Sequence, residues 1–89
     1  MLHDAVAIIT GASSGIGEAV ALQLAERGAR LSLLARSQEQ LEKVQASAIA
    51  AGAQEALALR CDLRDENDVE RAIAATLKQY GRIDILINS

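Results

Sequence analysis

Thr10-Gly11-Ala12-Ser13-Ser14-Gly15-Ile16-Gly17 is the stretch that decides the fold, because it joins a wholly apolar run to an apolar pattern of helical period. Gly11 allows a tight turn, Gly15 lets a pyrophosphate approach the backbone, and Gly17 lets the following helix pack closely. A helix that starts here aims unpaired amides and the positive end of its dipole at phosphate oxygens. No lysine follows the last glycine, so the P-loop reading fails.

Upstream, Ala5 to Ile9 is a continuous, β-branched-rich run without alternation, which predicts a strand covered on both faces. Downstream, Ile16, Val20 and Leu24, with Ala21 and Ala25 alongside, form a helical stripe that Glu18, Gln23 and Glu26 avoid, and Gly28 ends it. Leu31 to Ala35 reads as a second strand. Ser37 and Gln40 then have the spacing of a reciprocal helix cap, opening a second helix that runs to about Ala51 and stops at Gly52.

Ala56 to Leu59 and its flanks read as a third strand reaching Cys61. Asp65 and Asp68 put acid at the positive end of a third helix, expected to bury Val69, Ile73 and Leu77 and to close at Gly81. Ile83 to Ile87 is the fourth strand. The order is βαβαβαβ. Right-handed crossovers then give a Rossmann-like, doubly wound parallel α/β sheet in the order 3-2-1-4, with a ligand-binding switch point between the first and fourth strands.

Residues 1–89 make a single domain, a chain too short for a second core. The fourth strand would be a bare apolar edge, an arrangement natural proteins avoid. The expectation is therefore a fragment of a larger sheet, or a chain that completes its sheet with a partner, with the fourth strand as the seam of a homo-oligomer.

Hydrophobic residues make up 51% of the chain, yet Tyr80 is the lone aromatic, so Leu, Ile, Val and Ala must build the core, as they do where helices pack on a parallel sheet. The net charge of -3 offers no field for a nucleic acid. No apolar run is long enough to span a bilayer. The one cysteine cannot form an internal disulfide, and the first four residues lack a secretory pattern, so a cytoplasmic protein is expected.

The TGxxxGxG spacing, met at every motif position by TGASSGIG, resembles the short-chain dehydrogenase/reductase family. The likeness extends along the chain, through Cys61-Asp62-Leu63 and through Asp84 to Asn88. The resemblance implies a dinucleotide cofactor and hydride transfer between a nicotinamide and a carbonyl or alcohol. It also implies a catalytic serine, tyrosine and lysine that no position of this sequence matches, so cofactor binding without turnover is expected. The alternative is a non-catalytic dinucleotide-binding or assembly module.

NAD-using members of the family carry an acid at the end of the second strand. Here that position is Ala35, followed by Arg36. Losing the carboxylate removes repulsion toward a 2'-phosphate, and a guanidinium can grip its oxygens, so NADP(H) is expected over NAD(H). By the same resemblance Ser13 and Ser14 add hydroxyl contacts on the same side, Ile16 belongs with the cofactor-binding loop, and Asp62 accepts from the adenine amino group beside the Leu63 amide. Asn88 matches the first asparagine of the NNAG segment, near the cofactor, whereas Ser89 departs from the second. The bland readings are a solvated Arg36 and an Asp62 that bonds its own turn.

Three residues are not promoted. His3 has no metal-ligand partner at suitable spacing, Cys61 reads as buried packing, and Tyr80 is followed four positions on by Asp84 rather than lysine.

Overall fold

The computed structural model describes residues 2–89. Its elements are β1 (Val6–Thr10), α1 (Gly15–Glu26), β2 (Arg30–Ala35), α2 (Gln38–Ala51), β3 (Glu55–Arg60), α3 (Glu66–Tyr80) and β4 (Ile85–Asn88). The strands form one parallel sheet in the order β3-β2-β1-β4. Order, alternation and topology all agree with the sequence reading.

Alternation along β1 divides the core in two. Ala7 and Ile9 pack with Leu31 and Leu33 of β2 against Ala21 and Ala25 of α1 and Leu41, Val44 and Ala48 of α2. Ile8 faces the other way, with Leu34, Cys61 and Ala72 of α3. Helices therefore cover both faces, which is why β1 is buried at every position.

Strand ends shift by a residue or two. β1 gains Thr10, which pairs with Leu34 on one side and Asn88 on the other, and loses Ala5. β4 starts at Ile85 rather than Ile83, although the Asp84 amide still donates to the Val6 carbonyl at 2.9 Å.

Helix ends follow their capping chemistry. Asp65 accepts from the Asn67 and Asp68 amides, as an N-cap should. At the end of α1, the Gly28 amide donates to Ala25 and the Ala29 amide to Leu24, the paired bonds of a Schellman turn. Ser37 accepts from the Gln40 amide at 3.3 Å, but the returning bond from the Gln40 side chain is not made among the described residues. The reciprocal cap is thus half formed.

The inward rows of two helices also differ from expectation. In α1 the buried line is Gly17, Ala21 and Ala25, while Ile16 is 76% exposed, because close approach to the sheet needs small side chains. In α3 the buried line is Asp68, Ala72 and Thr76, and Ile73 and Leu77 stay 40% and 44% exposed. The polar row faces inward because each polar member finds a partner there. Thr76 donates to the Ala72 carbonyl at 2.8 Å, which uses its only hydroxyl proton, so Ser32 of β2 donates to Thr76 across 2.8 Å.

Among the described residues no helix is long and apolar enough to cross a membrane.

Candidate functional site

The glycine loop leaves β1 with Gly11 at φ +61° and reaches α1 through Gly15 at φ +60°, both in the left-handed region that suits glycine. The Ala12 amide donates to Leu34 at 3.1 Å, and Ala12 is fully buried, so the loop is tied down to β2 at that point. Beyond it, the amides of residues 13–17 donate to nothing among the described residues, and Ser14 makes no side-chain cap. Five successive N–H groups are left uncommitted at a helix start. A Cβ added at Gly15 would meet nothing within 4 Å, so the space above these amides is open.

Gly17 is enclosed instead. A Cβ there would lie 2.8 Å from both the Gly11 carbonyl carbon and the Ser89 hydroxyl. Gly17 therefore lets α1 press on the loop itself, a closer neighbour than the sheet that the motif suggests.

A cleft of about 520 Å³ opens at the carboxyl ends of β1, β2 and β3. Gly11 and Ser13 line it from the loop, Ala35 and Arg36 from the end of β2, and Asp62 and Leu63 from the end of β3. Six neighbouring positions from three separate segments thus share one cavity, five of them expected site residues. Ser14, Gly15, Ile16 and Gly17 lie at the start of α1 beside it. Asn88 is on the other flank, where it borders an apolar groove with Ile8 and Leu86.

Arg36 is exposed, and its charge is close enough to help lower the pKa of Asp62. Asp62 is held chiefly by Arg64, through the side chain and the backbone, and its carboxyl is pushed down to about 2. The geometry is a turn with an ion pair. Asp62 Oδ1 accepts from the Arg64 amide at 3.0 Å and from its Nε at 3.1 Å, and Oδ2 accepts from Nη2 at 3.0 Å. A carboxylate has about four acceptor positions, so one remains for a ligand.

Cys61 is buried, and burial followed by the nearby Asp68 raises its thiol pKa. It packs with Ile8, Leu34 and Ala72, the buried position read from the sequence. Tyr80 donates to the Leu31 carbonyl at 2.7 Å and is pushed up to about 12, mainly by burial, so it anchors α3 to β2.

Beside the loop, Thr10 Oγ1 donates to Asn88 Oδ1 at 3.0 Å and accepts from the Ser89 amide at 3.2 Å. Ser89 in turn donates its hydroxyl to the Thr10 carbonyl at 2.8 Å. The serine that departs from the family's second asparagine thus keeps a bond to β1.

Two hydrogen-bonding side chains of the cleft, Ser37 and Arg64, escape the sequence reading. Ser37, taken only as a cap, accepts from Gln40 and so keeps its hydroxyl proton to donate into the cleft. Arg64 also lines the cleft, and its signal was its position two residues after Asp62.

Residues 5–89 match the short chain dehydrogenase family model. The chain belongs to that family of oxidoreductases. It is 48% identical over 84 residues to 2-(R)-hydroxypropyl-CoM dehydrogenase of Xanthobacter autotrophicus, covering 94% of this chain and 34% of that protein. A metagenomic short-chain oxidoreductase solved in complex with NADP superposes with a TM-score of 0.89 at 41% identity, over 96% of this chain and 38% of the other. An alcohol dehydrogenase of the archaeon Thermococcus sibiricus, complexed with 5-hydroxy-NADP, gives 0.87 at 38% identity over 92% and 35%. This short-chain dehydrogenase chain spans about a third of the length of these relatives.

Proposed function

We propose that this chain is the NADP(H)-binding part of a short-chain dehydrogenase acting on a carbonyl or alcohol substrate. The observation that carries the reading is the row of five uncommitted amides at residues 13–17, opening beside a cleft whose β2 end has Arg36 and no acid. The residues present fit the cofactor: amides for the diphosphate, open space at Gly15 for its approach, and a cation for the extra phosphoryl group.

In this reading the amides of Ser13 to Gly17 bind the diphosphate, assisted by the dipole of α1, which lets a chain of net charge -3 hold a polyanion. Arg36 and the Ser37 hydroxyl hold the 2'-phosphate, and Ala35 leaves it unopposed by a carboxylate. Asp62 offers its remaining acceptor position to the adenine amino group, and the Leu63 amide lies beside it. Asn88 steadies the end of β4 through Thr10. The bound nicotinamide would supply or accept the hydride.

Residues 1–89 contain no tyrosine with a lysine four positions later, and Tyr80 spends its hydroxyl on Leu31. We therefore propose that the chain on its own holds the cofactor without turning it over, in a cytoplasmic setting and without nucleic acid as a partner. Self-association through the β4 edge would cover its apolar flank.

Titration with NADPH and with NADH tests the reading. Tighter NADPH binding is expected. Equal or better NADH binding would end the NADP preference, and failure to bind either would end the cofactor assignment.

A further inference from the structure

The cleft carries a second guanidinium besides that of Arg36, and it is held rather than loose. Arg64 follows Asp62 by two residues in the turn between β3 and α3, and one carboxylate grips both its amide and its side chain. That carboxylate is placed in turn. The Asp62 amide donates to Asp68 Oδ2 at 3.0 Å, and Asp68 is buried on α3, where Arg60 holds it at 3.2 Å and Arg71 pairs with its other oxygen. A line of restraint thus runs from the buried face of α3 through Asp68 and Asp62 to Arg64.

A guanidinium has five N–H donors in a fixed plane, and the Asp62 fork uses two of them. Three remain. The Arg64 side chain is 78% exposed and lines the same cleft as Arg36 and Ser37, at the end of the strand next to β2. An ordinary surface arginine loses rotamer freedom when it binds an anion, whereas one already held in a fork loses less. The charges also decide the kind of ligand. Arg36 and Arg64 with the Asp62 carboxylate leave one net positive charge at this rim, which suits a phosphate better than a neutral hydroxyl.

We propose that Arg64, oriented by the Asp62 fork, is a second specificity-determining residue that reads the 2'-phosphate of NADP(H) from the strand end beside Arg36. The proposal rests on the cleft being a dinucleotide site. It adds a residue that works by prior placement to one that works by charge.

The test is titration of the wild-type chain, Arg64→Gln and Arg64→Lys with NADPH, NADH, adenosine 2',5'-bisphosphate and adenosine 5'-monophosphate. Loss of one charge-assisted bond should weaken NADPH and the bisphosphate about tenfold in Arg64→Gln, with NADH and the monophosphate held to within about twofold. Arg64→Lys should fall between, since it keeps the charge and loses the planar fork. Equal losses for NADPH and NADH would make Arg64 a brace for the turn, and wild-type affinities in Arg64→Gln would make it a bystander; either overturns the proposal. If Arg64→Gln does not fold, the NADPH-to-NADH preference of Arg64→Lys decides, and an unchanged preference overturns it. Wild-type chain that binds none of the four sinks the cofactor reading itself, a different failure from a wild type that binds NADPH beside an Arg64→Gln that matches it.

Discussion

Gly17 stands so close behind Gly11 that a Cβ on it would lie 2.8 Å from the Gly11 carbonyl carbon. The first turn of α1 and the first turn of the loop are therefore a single packed unit. Gly15, between them in sequence, faces open space. The motif thus contains one glycine enclosed by the fold and one left open, where the proposed cofactor would approach.

Gly17→Ala and Gly15→Ala should separate these roles. Overpacking against backbone predicts a stability loss of about 1–3 kcal/mol for Gly17→Ala, with cofactor binding lost alongside. Gly15→Ala meets no clash, so its cost is the left-handed conformation alone, about 1–2 kcal/mol. Its NADPH affinity should nonetheless drop by more than about tenfold, because the new methyl group stands where the diphosphate must approach. Urea unfolding and NADPH titration of both variants check this, and a Gly15→Ala chain that binds as wild type would contradict it.

Ala35→Asp should reverse the cofactor preference. A carboxylate at the end of β2 repels the 2'-phosphate and offers an acceptor to the ribose hydroxyls of NAD(H). NADPH affinity should fall by at least about tenfold while NADH affinity is kept or improved. Arg36→Ala should weaken NADPH alone. Parallel titrations decide, and a variant that still prefers NADPH as strongly as the wild type would place the discrimination elsewhere.

What could be read from the sequence was what repeats locally or constrains the backbone. Apolar runs, glycine spacing and cap residues are neighbours along the chain, so β1, α1 and the loop came out within a residue or two. Arg36 was legible because it directly follows a strand end. The inward row of α3 was not, because hydrophobic periodicity ranks Ile73 and Leu77 above Thr76, and the sheet partner that Thr76 meets, Ser32, is 44 positions away. Arg64 was overlooked for a similar reason: the bond to Asp62 is short in sequence, but the cleft it faces exists only once β2 and β3 are side by side.

Acid should unfold the chain in a defined window. Arg64 lowers the Asp62 carboxyl to about 2, the Asp62 amide leads in lowering Asp68, and Arg82 leads in lowering Asp84, whose other oxygen accepts from the Val6 amide at 2.8 Å. Folded values below the ordinary 3.8 mean that the unfolded chain binds more protons at low pH. The stability they contribute is complete above that value and lost as pH falls through the folded ones. The urea midpoint should hold steady from about pH 7 to 5 and fall between about pH 4 and 2. Asp84→Asn, which keeps an acceptor for Val6, should make that fall shallower. A midpoint that does not change below pH 4 would show that these bonds contribute nothing.

The buried hydroxyl pair offers the sharpest test of how α3 is seated. Ser32 and Thr76 are both fully buried, and the proton order runs from Ser32 to Thr76 to the Ala72 carbonyl. Thr76→Val keeps the volume but leaves the Ser32 hydroxyl without an acceptor, which should cost about 1–3 kcal/mol. Ser32→Ala removes a donor and leaves Thr76 bonded to Ala72, so it should cost less. The double variant leaves no orphaned hydroxyl and should be no worse than Thr76→Val alone, giving a coupling of at least about 0.5 kcal/mol in a double-mutant cycle. Strictly additive losses would mean that the pair does not hold α3 in register. The apolar row of Ile73 and Leu77 would then be free to compete for the inward face.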